Sequence, residues 1–465
     1  MKSLTPSLQT SSVLYKLGSI QLLQSFSFYG VRSLLVLYFT QILLFNETQA
    51  LTLYGNVMAF LYIAPLLGGW LIDKYWSSSL NLIIGVILVG VSTVLMSFPH
   101  PEAFFYGLSV LVIGQGLFKP TVPYMLDQLY PESTKPRSAA YTFYYMMLNV
   151  GAALAPFLLG IIKQKYGWQA CFIGCLLISL MALFLAFQVG KLKGADIKKD
   201  ALKIFKFLLA NFLIGATIYY FLKSPQQVDQ LVIYSAPFVG MYLGYLYFTS
   251  PNRQDMGLLF LVISLFGLFV ILFEQSGGSI MLFLEKHVNR SIGGFEAIPA
   301  SVFMSLNPFF IIALGFAFSR YSSSFPTLTP FQQLSLGFML IVAGFGFLWM
   351  GAAGVVGGDK VSLGWVVLAS LCHALGELLI VPVTLSLAAG FAPKNKKGSM
   401  IGLWCLAAAY GHYLAAGLAK SKLQLAESTA AFQGVFALTA EIALGCAVIV
   451  FFLGFKNRLN QQGGI

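Results

Sequence analysis

Long apolar stretches separated by short polar loops recur along the whole chain. They fall at about 17–45, 50–72, 80–98, 103–127, 138–162 and 168–190, then at 204–222 and 230–249. Six more follow at about 256–284, 296–319, 328–353, 361–391, 398–419 and 430–455. Each has roughly 20 residues or more, enough for an α-helix rising ~1.5 Å per residue to cross ~30 Å of hydrocarbon. The pattern predicts an all-α polytopic membrane protein of about 14 transmembrane helices, grouped six, two and six. A basic stretch, Lys191 to Lys203, follows the first six. The predicted domains are therefore 1–190, a six-helix bundle; 191–253, a basic linker and inserted helix pair; and 254–465, a second six-helix bundle.

Within the first apolar stretch runs a polar stripe. At about 100° per residue, Gln21, Gln24, Ser25, Phe28 and Arg32 share one helix face, with Tyr29 at its edge. A stripe ending in an arginine must face protein or water, since an arginine at membrane depth costs roughly 2.5 kcal/mol or more. Arg32 is thus a candidate site residue, or a partner of a buried acid that holds helices together.

Composition agrees with the membrane reading. Apolar residues make up 58% of the chain and charged residues 9%, against about 25% charged in soluble domains. The net charge of +12 does not call for nucleic acid, because most Lys and Arg lie in the short loops. With an even number of spans, one side receives Lys2, Lys16, Lys74, Lys135, Arg137, the linker lysines, Arg253, Arg320, Lys394, Lys396, Lys397, Lys456 and Arg458. The other receives Lys163, Lys165, Lys223, Lys286, Arg290, Lys360, Lys420 and Lys422. The bias puts both termini in the cytoplasm. The N-terminus has no signal-peptide pattern. Cys171, Cys175, Cys372, Cys405 and Cys446 all lie in apolar spans and read as small core residues, with no metal site. No phosphate-cradling loop, H-E-x-x-H or G-x-S-x-G is present, so an ATP-driven pump and a membrane hydrolase lose their motifs, and no cofactor is implied.

Two six-helix halves are the make-up of a major facilitator transporter, whose substrate site lies near the membrane midplane. Gly68-Gly69-Trp-Leu-Ile-Asp73-Lys74, between the second and third spans, matches the G-G-x-x-x-D-[RK] loop of that superfamily. The charges left inside the spans are segregated. Arg32 and Lys119 lie in the first half; Glu274, Glu377 and Glu441 lie in the second. A cationic wall and an acidic wall suit a zwitterion with a carboxylate at one end and an amine at the other; structural ion pairs are the alternative. Tyr54, Met58 and Tyr62 share a face at i, i+4 and i+8. Gln115 and Lys119 lie one turn apart ahead of Pro120 and Pro123, and Tyr144, Tyr145, Asn149 and Asn307 add polar groups. The prolines predict helix breaks beside a cavity. His373, one turn before Glu377, reads first as a satisfied core histidine and second as a proton relay. His412 has a weaker case. Glu441 is expected to face the bundle core.

These residues resemble the proton-dependent oligopeptide transporters, a branch of the major facilitator superfamily, over nearly the whole chain. Phe26-Ser-Phe28-Tyr29-Gly30-Val-Arg32 is similar to the family's F-x-Y-Y-G-x-R. Gly114-Gln-Gly-Leu-Phe-Lys119-Pro120 is similar to G-x-G-L-x-K-P, and Tyr144-Tyr145-Met-Met-Leu-Asn149-Val-Gly151 to F-Y-x-x-I-N-x-G. Phe273-Glu274-Gln275, Ile298-Pro-Ala-Ser, Ser305-Leu-Asn307-Pro308, Gly376-Glu377-Leu and Gly402-Leu-Trp404 follow in the family's order. The resemblance implies a secondary active transporter that imports di- and tripeptides across the bacterial inner membrane by alternating access, as a monomer in the lipid bilayer. By that resemblance Arg32 and Lys119 hold the peptide carboxylate and Glu377 its amino terminus. Glu274 gates with Arg32, Lys119 and Glu377 and carries a proton, while Tyr29, Tyr62, Asn149, Asn307 and Trp404 line the pocket.

The departures are specific. Where the family has E-x-x-E-R, this chain has Gln21-Leu-Leu-Gln24-Ser25. Glutamine keeps the shape and hydrogen bonding of glutamate but cannot titrate. Losing two acids and one cation together removes a charge cluster without orphaning a buried arginine, which would be costly. Phe28 stands for a tyrosine, Thr121 for an asparagine, and Val381 for a serine near the amine-binding acid. Altered proton coupling through Glu274 is expected. Its competitors are proton-independent facilitation, transport of another small zwitterionic or amphipathic solute, and a non-transporting sensor on the same fold.

Overall fold

The computed structural model describes residues 8–74, 77–130, 135–192, 201–250, 252–291, 297–321, 328–354, 360–391, 397–423 and 429–462. Among them the chain is almost entirely helical. The first elements are α1 (Leu8–Gln41), α2 (Glu47–Lys74), α3 (Ser78–Ser97), α4 (Pro101–Leu129), α5 (Lys135–Leu192), α6 (Ala201–Lys223) and α7 (Pro225–Thr249). They are followed by α8 (Arg253–Phe273), a 3₁₀ turn (Glu274–Ser276), α9 (Ser279–His287), a second 3₁₀ turn (Ala300–Ser305) and α10 (Leu306–Tyr321). The last are α11 (Pro330–Ala353), α12 (Leu363–Phe391), α13 (Lys397–Leu423) and α14 (Thr429–Gln462). Ten helical stretches among the described residues are long and apolar enough to cross a membrane. The non-helical pairing is small: β1 (Val288–Asn289) lies parallel to β2 (Val361–Ser362), tying the end of α9 to the start of α12.

The two spans expected at 138–162 and 168–190 are joined in α5, which breaks at Gly167, where φ is +82°. A side chain there would be strained, so glycine allows the chain to turn back without a loop. The span expected at 256–284 is interrupted: α8 ends at Phe273, and Glu274–Ser276 tightens into a 3₁₀ turn before Gly277 and Gly278. Pro120 and Pro123 do not break their helix, since α4 runs continuously from Pro101 to Leu129. The bonds they forfeit are local, and the buried face of α4 packs on both sides of them.

By packing, the chain divides into two units. The first comprises Met1–Leu35, Phe60–Ser224 and Ser301–Ser305; the second comprises Val36–Ala59, Pro225–Ala300 and Leu306–Ile465. The core of the first joins Leu17 and Ile20 of α1, Leu82 and Val86 of α3, Phe118 and Val122 of α4, and Ala182 and Ala186 of α5. In lipid, close packing replaces the hydrophobic effect as the force between helices, so small residues set the crossings. A Cβ on Gly116 would lie 2.8 Å from the Ala64 Cβ of α2, and one on Gly68 would enter the backbone of Gly116. The Gly68-Gly69 motif is therefore a contact between α2 and α4; the side chains of Asp73 and Lys74 lie outside the described residues. In the second unit Leu246 of α7, Met256 and Leu259 of α8, Ala388 of α12 and Leu403 of α13 form one cluster.

Glu441 corrects its expectation. It is exposed on α14, on the stripe that also carries exposed Leu444 and Val448, whereas Phe432, Phe436, Thr439, Ala443 and Ala447 form the buried stripe. The seam of α14 against its bundle passes on the opposite side from the carboxylate. Three of the cations assigned to the less basic side are matched by acids: Lys223 pairs with Glu102, Lys286 with Glu47, and Arg290 with Glu285 at 3.1 Å.

Candidate functional site

The cationic residues lie in the first unit. Arg32 is buried in α1, with its guanidinium carbon 5.7 Å from the centre of the Tyr29 ring one turn earlier. Lys119 Nζ stands 4.0 Å from the centre of Phe28 and 4.6 Å from that of Tyr62. Phe28 and Tyr29 meet edge to face with centroids 5.0 Å apart. Aromatic faces are electronegative, so they hold a cation without neutralising it. Phe28 therefore retains a role without a hydroxyl: its ring faces Lys119. Thr121 is used as well. Asn81 Nδ2 donates to Thr121 Oγ1 at 3.1 Å and to the Leu117 carbonyl at 3.1 Å, binding α3 to α4.

The part of the α1 stripe before Phe28 is made of neutral groups. Gln21 Nε2 donates to Ser25 Oγ at 3.0 Å, and Gln24 is fully buried with no protein hydrogen bond to its amide among the described residues. Asn149 on α5 is buried, and its Nδ2 donates to the Tyr145 carbonyl at 2.9 Å.

The acidic residues lie in the second unit. Glu377 is half-buried on α12, and Asn307 Nδ2 donates to its Oε2 at 3.2 Å. One predicted pocket residue thus orients another. Val381, one turn further along α12, is half-buried. Trp404 stacks on Phe266 of α8, with ring centroids 3.7 Å apart, and joins the cluster of α7, α8 and α13. His373 is buried against Phe345 with centroids 4.6 Å apart, but Nε2 finds no hydrogen-bond partner among the described residues. It is a core histidine, as expected, but its Nε2 lacks the expected satisfaction and packs against Gly344 of α11.

Glu274 has the most developed surroundings. It is 2% exposed and opens the 3₁₀ turn between α8 and α9. Tyr54 Oη of α2 donates to its Oε1 at 2.5 Å, and His412 Nδ1 of α13 lies 2.9 Å from its Oε2. The turn is anchored by the next residue: Gln275 Nε2 donates to the Ala415 carbonyl of α13 at 3.0 Å, and Ser279 Oγ donates to Gln275 Oε1 at 2.7 Å. His412 is the residue that sequence reasoning undervalued. The available signal was a histidine inside an apolar span, where any ionisable group is costly. Nothing in the sequence paired it with Glu274.

Residues 76–435 match the family model described as PTR2, POT family. The chain belongs to the POT family. Among curated proteins this POT chain is 28% identical over 484 residues to the peptide transporter YePEPT of Yersinia enterocolitica subsp. palearctica, covering 95% of this chain and 94% of that one. It is 29% identical over 422 residues to dipeptide and tripeptide permease B of Edwardsiella piscicida, covering 85% and 84%. Among solved structures it superposes on tetrameric PepTSo2 with a TM-score of 0.85 at 22% identity, covering 97% of this chain and 99% of that one. The fold of this POT protein is that of the major facilitator superfamily, and the protein is a multi-pass membrane protein and not an enzyme. A separate apolar cavity of about 330 Å³ opens where α6 meets α2 and α4, lined by Phe60, Ile113, Asn211, Leu213, Ile218 and Phe221. Its described lining residues include no charged group.

Proposed function

We propose that this POT protein imports di- and tripeptides across the bacterial cytoplasmic membrane by alternating access, coupled to protons through Glu274. The observation that carries the reading is the segregation of inner charge: Arg32 and Lys119 in one unit, Glu274 and Glu377 in the other. Arg32 and Lys119 take the peptide carboxylate and Glu377, oriented by Asn307, takes the amino terminus. Tyr29, Tyr62, Asn149, Asn307 and Trp404 complete the pocket, and Glu274 joins Arg32, Lys119 and Glu377 in gating. Relatives named as a peptide transporter and a dipeptide and tripeptide permease support the substrate class. The protein acts as a monomer, since one chain carries the whole set of charges. Both termini are cytoplasmic, the side towards which the Lys and Arg of the short loops are biased.

The neutral amides of Gln21 and Gln24 favour a second reading, facilitated diffusion of peptides without protons. Uptake of a labelled dipeptide into proteoliposomes, with and without an inward acid gradient, separates the two. Concentrative uptake that needs the gradient, and loses its pH dependence in Glu274→Gln, supports coupling. Uptake that only equilibrates supports facilitation. Absence of both uptake and counterflow across a peptide panel would remove the peptide assignment.

A further inference from the structure

We propose that His412 is the proton-carrying partner of Glu274, the transported proton being held across the contact between His412 Nδ1 and Glu274 Oε2. The inference rests on the proton-coupled reading above and adds to it the residue that shares the proton with Glu274. It also accounts for how α1 can dispense with its acids.

The geometry is that of a built pair. His412 is 3% exposed and Glu274 2% exposed, and their facing atoms are 2.9 Å apart. Neither can be reached by a simple side-chain drift, because glycines pin the backbones around them. A Cβ on Gly411 would lie 2.9 Å from the Gly267 carbonyl of α8, and one on Gly55 of α2 would lie 3.2 Å from the carbonyl of His412 itself. The other polar side chains of the turn are committed elsewhere: Gln275 to the Ala415 carbonyl and Ser279 to Gln275. Among the described residues lining the small void beside the pair, the titratable ones are Tyr54 from α2, Glu274 from the 3₁₀ turn and His412 from α13; α8 presents Gly267 and Val270. Tyr413, next on α13, donates its hydroxyl to Asp229 of α7. Beside the pair is a void of about 10 Å³ lined by Leu51, Tyr54, Gln275, Gly278, Ala415 and Ala416. That is about the room one water needs.

The pair can exist in two charge states without moving a heavy atom. In the unloaded state a neutral imidazole keeps its proton on Nδ1 beside the Glu274 carboxylate, with net charge −1. In the loaded state one proton from water has been added at Nε2, giving imidazolium and carboxylate with net charge 0. Passing the Nδ1 proton to Oε2 gives the equivalent neutral acid and neutral imidazole. Release to water on the other side restores the first state, and no other group gains or loses a proton. Tyr54 donates to Oε1 throughout, so the carboxylate keeps one hydrogen bond in every state. A free imidazole titrates at about 6.5 and a free glutamate at about 4.3. The imidazole and the carboxylate of this pair are both groups that can bind a proton, whereas the amides of Gln21 and Gln24 take up none. What the rest of the site senses is the charge of Glu274 being cancelled by its neighbour.

The test uses the full-length protein, ¹⁵N-labelled at histidine, in lipid nanodiscs. The chain has four histidines, His100, His287, His373 and His412, so the His412 signals are assigned by removing the other three one at a time as well as by His412→Gln. The expected result is conversion of His412 from neutral imidazole to imidazolium between pH 5 and 9, with a displaced midpoint in Glu274→Gln. A His412 that keeps both its protonation state and its tautomer over that range overturns the proposal. In parallel, peptide counterflow and peptide-driven lumen acidification are measured in proteoliposomes. His412→Gln is expected to lower protons moved per peptide at least tenfold. An unchanged ratio overturns the proposal, as does a wild type that exchanges peptide and moves no protons. A wild type with no peptide counterflow overturns the transport reading instead, while the nuclear magnetic resonance titration still decides the pair.

Discussion

Tyr54 and Glu274, 220 residues apart in the chain, are joined by a hydrogen bond of 2.5 Å from the tyrosine hydroxyl to the buried carboxylate. It ties α2 to the turn that interrupts the span of α8 and α9. Hydrogen bonds to charged groups contribute about 1.5–3 kcal/mol. Tyr54→Phe is expected to lower thermal stability by an amount in that range, read by thermal unfolding in detergent micelles. A variant as stable as the wild type would show the bond to be marginal.

The turn leaves no room beside that tyrosine. A Cβ on Gly277 would run into the Tyr54 hydroxyl, within the ring's own contact distance. Gly277→Ala is expected to destabilise the protein by about 1–3 kcal/mol through overpacking. It is also expected to change the pH dependence of uptake, because it displaces a donor to Glu274. The same two measurements check it.

Asn307 orients Glu377 through the bond from Nδ2 to Oε2. Glu377→Gln keeps the shape and removes the charge. Counterflow competition between a dipeptide and its N-acetylated form is expected to favour the free amine in the wild type. That preference should fall at least tenfold in Glu377→Gln, with a smaller loss in Asn307→Ala. An undiminished preference would place the amine elsewhere.

Phe28 faces Lys119 at 4.0 Å. A cation over an aromatic ring gains about 0.5–2 kcal/mol depending on burial. Phe28→Leu is therefore expected to weaken peptide competition severalfold, Phe28→Tyr to preserve it, and Lys119→Gln to reduce it further. Competition curves against a labelled dipeptide check the order.

Glu441 is exposed in the middle of the span Thr429–Gly454. Ionisable groups at membrane depth are costly unless partnered. Glu441→Leu is expected to raise the unfolding temperature in nanodiscs and to leave peptide counterflow unchanged. A loss of stability would mean that the carboxylate is used by a neighbour in the membrane.

The membrane architecture could be read from the chain because the bilayer imposes it. A helix that crosses needs a set length of apolar residues, and loops need charge, so the number and order of spans follow from one dimension. Ordered motifs around Arg32, Lys119, Asn149 and Glu377 likewise identify the family, since each keeps its residues within two helical turns. The pairing of Asn307 with Glu377 was within reach of this reasoning only as membership of one pocket.

What one dimension does not hold is the rotational phase of an apolar helix. In water a polar face marks the outside of a helix, but in lipid both faces are apolar. Glu441 was therefore assigned to the wrong side of α14, whose seam is set by packing against α11 and not by hydropathy. His412 was undervalued for the same reason. Its span carries no periodic mark, and its partner belongs to a turn more than 130 residues earlier. Length and charge along the sequence determined that this chain is a polytopic membrane protein with its inner cations and acids in opposite halves, and its ordered motifs determined the family it resembles. Close packing of α2, the 3₁₀ turn and α13 alone decided that Tyr54, Glu274 and His412 share one buried site, because contacts between helices depend on which faces fit, and glycine spacing at Gly55 and Gly411 sets that fit.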